Sequence, residues 1–291
     1  MRCIYFPNFS QFGAVFLNTR GKIMEIKKYE NQICPFDISL LDEDKYTFFV
    51  LKRIIKGECR LTFTDHEKLI ICHSAYPYPI WVWLSKETGE QELERCYLLL
   101  KEHFFLKGFY RINTTYQIAE YLIERCEKDG INVKIAINML SYTCPTPIPP
   151  KKKADGFAKT AIYEDLEVVL SLIKKFNYDV GEIPSEEVVR EKALQLIEKQ
   201  AVFLWIDKYP VAICAYRKLE ETACINHVYT EKEVRRKGYC SNLVYYLSEK
   251  LKNMGLLPSL YTDGDYKASN QCYQQIGYIL EGDLCTIDKE E

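Results

Sequence analysis

Two spacings organise the apolar positions of this chain. From Glu90 to Phe105, EQELERCYLLLKEHFF, they recur every three to four residues and predict a helix with one apolar face. Residues 114–130, TTYQIAEYLIERCEKDG, repeat that spacing with a threonine at the start and a glycine past the end, the signals of a capped helix. Residues 43–57, EDKYTFFVLKRIIKG, also read as helical. Between these, CRLTFTD (59–65) and KLIICHS (68–74) alternate or run apolar and predict a hairpin, PIWVWLS (79–85) a third strand, and NVKIAINML (132–140) a closing strand.

The second half follows a similar order. Helices are predicted over 164–176, EDLEVVLSLIKKF, and 185–200, SEEVVREKALQLIEKQ, the latter with Ser185 as N-cap and Glu186 and Glu187 in its first turn. AVFLWID (201–207), PVAICAYRKL (210–219) and TACINHVYT (222–230) predict three strands. A helix from about Gly238, a strand PSLYTD (258–263), a helix KASNQCYQQIG (267–277) and a last strand pair within YILEGDLCTID (278–288) complete the order. Between the halves, CPTPIPPKKKADG (144–156) can continue neither a helix nor a central strand, so a linker is expected there. The expected organisation is an N-terminal α/β domain over 1–150 and a second domain over 151–291. The shared outline suggests a weak duplication of one fold.

Composition narrows the class. The 291 residues are 47% hydrophobic and 27% charged, enough for a sizeable core, and two domains suit that length. A net charge of -2 offers no global field for nucleic acid or an anionic membrane. The 12 cysteines contain no Cys-x-x-Cys pair, and with His66, His73, His103 and His227 they show no metal-ligand spacing, so no metal is expected. They read as reduced thiols. MRCIYFPNFS at the N-terminus lacks the apolar run of a leader peptide, and no stretch is apolar enough to span a membrane. A cytoplasmic protein is expected.

One stretch conflicts with helix electrostatics. In EVRRKGYCSNLVYYLSEKLKNMG (233–255), Arg235, Arg236 and Lys237 crowd the start of an amphipathic helix, where unpaired N–H groups and the positive end of the helix dipole favour anions. The conflict disappears if an anion binds there. Backbone N–H groups from about 236 to 241, including those of Gly238, Tyr239, Cys240 and Ser241, would grip phosphate oxygens, with the cations adding charge-assisted bonds and Gly238 allowing close approach.

The stretch Arg235-x-x-Gly238-x-Cys240 resembles the acetyl-CoA-binding signature of the GNAT N-acetyltransferase superfamily, Gln/Arg-x-x-Gly-x-Gly/Ala, with Cys240, itself small, departing from the usual glycine or alanine. Downstream, LYTDGDYKASNQCYQQIGY resembles the superfamily's strand followed by Asn-x-x-Tyr on a helix and then Gly-Tyr. The resemblance covers residues 155–291. The first half carries no phosphate motif; if it is a second GNAT-like unit, as in tandem-GNAT proteins, it has lost cofactor binding. The implied fold is a mixed, mostly antiparallel sheet flanked by helices. Two parallel strands would splay to admit pantetheine, which pairs with the backbone of Val228, Tyr229 and Thr230. Asn270 would bond the pantetheine arm, and Tyr273, one turn along, would protonate the departing thiolate. The implied reaction is direct acyl transfer from acetyl-CoA to a primary amine of a small molecule or peptide, with no metal. His227 is the candidate base, set against the plainer reading of a half-buried strand histidine. A catalytically silent acyl-CoA sensor or scaffold is the alternative. No nucleic acid or membrane partner is expected, and monomer and homodimer stay open.

Overall fold

Continuous apolar runs and strict alternation decide where the strands of this protein lie. The computed structural model describes residues 15–17, 23–35 and 37–290. The expectation drawn from the first ten residues, and Cys3, lie outside the described residues. The chain divides into two compact units: residues 1–139 with 283–291, and residues 140–282.

The first unit contains β1 (Val15–Leu17), β2 (Ile23–Glu25), β3 (Lys27–Ile33), α1 (Phe49–Ile54), β4 (Glu58–Thr64), β5 (Leu69–His73), β6 (Ile80–Leu84), α2 (Glu90–His103), β7 (Ile112–Thr114), α3 (Tyr116–Lys128) and most of β8 (Val133–Thr143). The second contains the end of β8, then β9 (Phe157–Thr160), α4 (Leu166–Asp179), α5 (Glu186–Glu198), β10 (Val202–Asp207), β11 (Tyr209–Leu219), β12 (Thr222–Thr230), α6 (Tyr239–Asn253), β13 (Leu257–Asp263), α7 (Lys267–Gln275) and the start of β14 (Ile279–Lys289). Strand order in the first unit is β3-β4-β5-β6-β7-β14, and in the second the end of β8 is followed by β13-β12-β11-β10-β9. In each, three antiparallel strands lead to a parallel pair, β6 with β7 and β12 with β13. The expected class, a mixed and mostly antiparallel sheet flanked by helices, is the one observed. Among the described residues no helix is long and apolar enough to cross a membrane.

Each predicted strand and helix has a counterpart, with three differences. The helix expected over 43–57 is confined to Phe49–Ile54. Residues 44–48 turn instead: Thr47 and Phe48 N–H groups donate to Asp44 O, while the Asp44 carboxylate accepts from Trp83 Nε1 at 3.0 Å. The strand pair expected within 278–288 is one unbroken strand. Gly282 is not among the glycines with positive φ, so no turn forms, and Cys285 and Ile287 pair with Thr114 and Ile112. The proline-rich segment 144–156 has no regular structure, yet it is not a free tether. Cys144 N–H donates to Pro258 O, Ile148 N–H to Ile276 O, and Trp205 Nε1 to Asp155 O. Proline removes donors but does not stop a segment from packing. The units accordingly divide at 139/140 and again at 282/283, where the sequence suggests 150/151.

Period-two alternation builds two cores on the two faces of the second unit's sheet. Phe203, Trp205 and Cys214 join Leu243, Val244, Leu247 and Tyr273 in one cluster. Val202, Leu204, Ile213 and Ala215 join Leu170, Ile173, Ala193 and Ile197 in the other. Each fully buried aliphatic side chain stabilises by ~1.5–3 kcal/mol. The sheet is therefore held from both faces, and β12 is fixed between them. In the first unit one cluster gathers Phe63, Ile71, Val82, Tyr97, Leu100, Leu122 and, from the C-terminal strand, Ile287.

Candidate cofactor cleft

The alternation along β12 carries a slip. Ala223 and Ile225 belong to the cluster beneath α6, so Tyr229 should face that way too. Instead Val228 packs there and Tyr229 joins the opposite cluster. The β11–β12 register explains it: Ile213 pairs with Tyr229 and Ala215 with Asn226, so β12 holds one extra residue. This is a β-bulge, and His227 sits in it at φ +50, a left-handed conformation uncommon outside glycine. On its other edge β12 pairs with β13 only from Thr222 to Cys224, opposite Leu257 to Ser259. Beyond that, residues 225–230 and 260–263 have no ladder between them.

The chain leaves β12 through a one-turn 3-10 segment, Lys232–Val234, and enters α6 at Gly238, whose φ is +91. Arg236 is also left-handed, at φ +67. A run of such conformations turns successive N–H groups to one side and makes an anion-binding concavity. Among the described residues, the backbone N–H groups of residues 236–241 meet no acceptor within the protein. Neighbouring side chains tie down the opposing carbonyl instead: Ser241 Oγ and Asn242 Nδ2 both donate to Gly238 O, and Asn242 Nδ2 also donates to Lys152 O. A Cβ at Gly238 would meet its nearest atoms at 3.5–3.8 Å, an ordinary contact, so the backbone angle is what requires glycine here.

The three cations separate into two roles. Arg235 is already engaged: its Nε donates to Thr230 O at 3.0 Å and its Nη2 to Asp179 Oδ2 at 2.6 Å. Lys232 Nζ also pairs with Asp179, at 2.7 Å. Burial opposes charge on Asp179, but the bonds from Lys232 and Arg235 hold its carboxyl below the usual range. Arg235 thus braces the turn against the end of α4. Arg236 and Lys237 are exposed, and among the described residues no ion pair engages them.

On α7, Asn270 is buried, and its Nδ2 donates to Asp263 O and Gly264 O at 3.0 and 3.1 Å. Tyr273 is buried three residues on, its ring 5.7 Å from that of Tyr278. Burial pushes its phenol well above the usual range, so it stays protonated. Cys240 and Cys272 share a thiol hydrogen bond. That bond and burial push Cys240 up, and Arg235 offsets little of it. Cys240 is therefore not an activated thiolate. The His227 ring stands 5.3 Å from Phe176 on α4, and its Nδ1 lies 2.6 Å from Asn226 Oδ1. Burial, then the charges of Lys192 and Arg217, lower its pKa to about 4, so it is neutral near pH 7.

Three polar atoms around this cleft are buried without a partner: Thr230 Oγ1, Ser259 Oγ and Asn270 Oδ1. An orphaned buried acceptor or hydroxyl costs about 1–3 kcal/mol. Together with the bare N–H run and the unpaired edge of β12, they form a donor and acceptor set that suits a ligand with a diphosphate at one end and amides along an arm. Beside the cleft, a cavity of about 360 Å³ lies between α4 and the connector after β12, walled by Tyr178 and Tyr229, with Lys175 and Glu231 paired at 2.5 Å. Among the described residues no cluster of His, Cys, Asp and Glu could hold a metal.

The sequence alone places Val228–Thr230, residues 235–241, Asn270 and Tyr273 on the elements around this gap. It misses Asp179, Asn226 and Ser259. For the bulge a signal exists: apolar positions shift from 223 and 225 to 228. Asp179 leaves none, because its partners come from a distant turn.

In the first unit, the start of the helix after β6 and the end of its parallel strand pair carry internal partners. Helix α2 opens at Gly89 with Glu90 and Glu92 in its first turn, and Gly89 N–H donates to Glu92 Oε2 at 3.0 Å. The parallel pair β6·β7 registers at Ile80–Ile112 and Trp81–Asn113, and Thr114 Oγ1 donates to Val82 O just beyond, at 3.0 Å. There an internal carboxylate takes the N–H of Gly89 and an internal hydroxyl bonds the Val82 carbonyl.

Residues 166–278 match the Acetyltransferase (GNAT) family. No curated protein matches the chain. Among solved structures, the chain is similar to a GCN5-related N-acetyltransferase from Sphaerobacter thermophilus, at 10% identity and a TM-score of 0.66, over 95% of this chain and 97% of that one. It is also similar to an acetyltransferase from the GNAT family from Colwellia psychrerythraea, at 14% identity and 0.57, over 91% and 100%. A GCN5-related N-acetyltransferase from Kribbella flavida gives 15% identity and 0.55, over 77% and 87%. At these identities the likeness is one of fold.

Proposed function

Because residues 166–278 form a GNAT acetyltransferase domain, we propose that this protein transfers an acetyl group from acetyl-CoA to a primary amine of a small molecule or peptide by direct attack. The observation that carries the reading is the run of bare N–H groups at 236–241, set beside the unpaired edge of a bulged strand.

When bound, acetyl-CoA supplies an activated acetyl thioester. The N–H groups of 236–241, with the side chains of Arg236 and Lys237, hold the diphosphate at the positive end of α6. Arg235 keeps that turn in place through Thr230 O and Asp179. The free backbone of Val228, Tyr229 and Thr230 pairs with the pantetheine amides as an added strand. Asn270 Oδ1 accepts from the arm, because its own Nδ2 is already committed to Asp263 and Gly264. Tyr273, a phenol that stays protonated, gives its proton to the leaving sulfur. His227 is neutral near pH 7 and takes the proton of the attacking amine. The internally bonded helix start and strand pair of the first unit support reading it as a repeat that no longer binds the cofactor.

Titration calorimetry with acetyl-CoA tests the cleft: saturable binding that weakens at least tenfold in the Arg236→Glu, Lys237→Glu double variant is expected. An unchanged dissociation constant refutes the loop assignment. A screen of primary amines that follows free CoA thiol then tests turnover.

A further inference from the structure

We propose that Asn226 is a positioning residue that sets the tautomer of His227, fixing the proton on Nδ1 and leaving the Nε2 lone pair as the working base. The proposal rests on the reading of His227 as the base, and deepens it.

The geometry begins with the amide. Asn226 Nδ2 donates to Cys224 O at 3.3 Å, which settles which end of the amide is which. Its Oδ1 then faces the imidazole, 2.6 Å from His227 Nδ1. A carbonyl oxygen only accepts, so Nδ1 must carry the hydrogen. Among the described residues no partner meets Nε2. The arrangement follows from the bulge. In a regular strand, adjacent residues point to opposite faces, and residues 226 and 227 could not bond side chain to side chain. The extra residue in β12 and the left-handed φ of His227 bring the two together on the α4 side, where the ring meets Phe176. Asparagine thus reads the backbone of its own strand at one end and orients the base at the other.

The charged groups facing the ring are Lys192 from α5 and Arg217 from β11. Both repel a second ring proton. A carboxylate at 226 would act in the opposite sense, since it accepts from Nδ1 as an amide oxygen does and also attracts the imidazolium.

The full chain, labelled with 15N at histidine, tests this directly. Long-range proton–nitrogen spectra at pH 7 should show Nδ1 protonated and Nε2 bare for His227, and finding the hydrogen on Nε2 overturns the proposal. In Asn226→Leu the preference for Nδ1–H should be lost. In Asn226→Asp the titration midpoint of His227 should rise by about one pH unit or more, and the acid limb of kcat should move with it. An unmoved midpoint overturns the proposal. His227→Asn, a residue that tolerates the left-handed backbone, separates the two claims. Full kcat in that variant would remove His227 as the base, while the wild-type spectra still decide whether Asn226 fixes the ring.

Discussion

If Thr230 Oγ1 is a ligand group, replacing Thr230 with valine should change stability and affinity in opposite directions. The substitution keeps the branched shape of the side chain and exchanges only a hydroxyl for a methyl. In the free protein that hydroxyl is buried with no partner, while the backbone oxygen of the same residue holds Arg235 and is untouched. Removing an unsatisfied buried polar atom recovers about 1–3 kcal/mol of desolvation. For a chain of this size each kcal/mol moves the melting point by roughly 2 °C, so Thr230→Val should melt about 2–6 °C higher. With acetyl-CoA bound, the wild-type hydroxyl gains a partner and the variant does not. The loss of one hydrogen bond, about 0.5–1.5 kcal/mol, weakens binding roughly 2–12-fold. Differential scanning fluorimetry without ligand and calorimetry with acetyl-CoA read the two quantities, and Thr230→Ser should restore the wild-type affinity. A variant that melts lower, or that binds acetyl-CoA unchanged, would show that the hydroxyl does not face the ligand.

Tyr273→Phe should lower kcat at least tenfold and leave acetyl-CoA affinity within about twofold; equal turnover would assign the proton to water. Gly238→Val forces a branched side chain into φ +91. Acetyl-CoA binding should weaken at least tenfold while far-ultraviolet circular dichroism stays native, because no hard clash blocks folding. His227 titrates near 4 when folded and near 6.5 when unfolded. The unfolded chain therefore binds the extra proton between those values, and stability falls as pH drops from 6.5 to 4, by ~3 kcal/mol at most. Urea melts of wild type and His227→Asn should diverge only in that window. Ile287→Ala removes a side chain that is 1% exposed in the core of the first unit. It should cost 2–5 kcal/mol and lower amide protection in β4–β6 with acetyl-CoA affinity unchanged.

Much of the architecture is legible in the chain because each core strand carries its own alternation or apolar run. Thr222–Thr230 and the start of α6 fall where the pattern puts them, and Ser185 caps α5 by accepting from Val188 N–H. The short strands β3, β7 and β9 were not legible. β3 is an edge strand of mostly exposed polar residues, and β7 spans three residues. The path of β14 was hidden because Glu-Gly-Asp reads locally as a turn, and only pairing with β7 shows that it runs straight. At the cleft, the residue types of the motif were visible but their division of labour was not. Arg235 carries the same charge as Arg236, and only the Asp179 carboxylate distinguishes a brace from a free cation.

The polar groups of the two units are satisfied differently. A folded chain normally satisfies its buried donors and acceptors, since each omission costs about as much as a hydrogen bond contributes. The first unit obeys that rule at its parallel strand pair and at the start of α2, through Thr114 and Glu92. In the second, Thr230 Oγ1, Ser259 Oγ and Asn270 Oδ1 are buried without a partner in one neighbourhood, beside the bare N–H groups of 236–241. Their grouping on β12, β13 and α7 is what the proposed function uses: a bound ligand would recover the cost. The diphosphate loop also offers a way to abolish binding without touching His227 or Tyr273. Lys237→Glu places a carboxylate one residue before Gly238, at the positive end of α6, where negative charge stabilises a helix start. The variant should gain stability in the absence of ligand and lose acetyl-CoA binding. A melting point that does not rise would refute the helix-end argument.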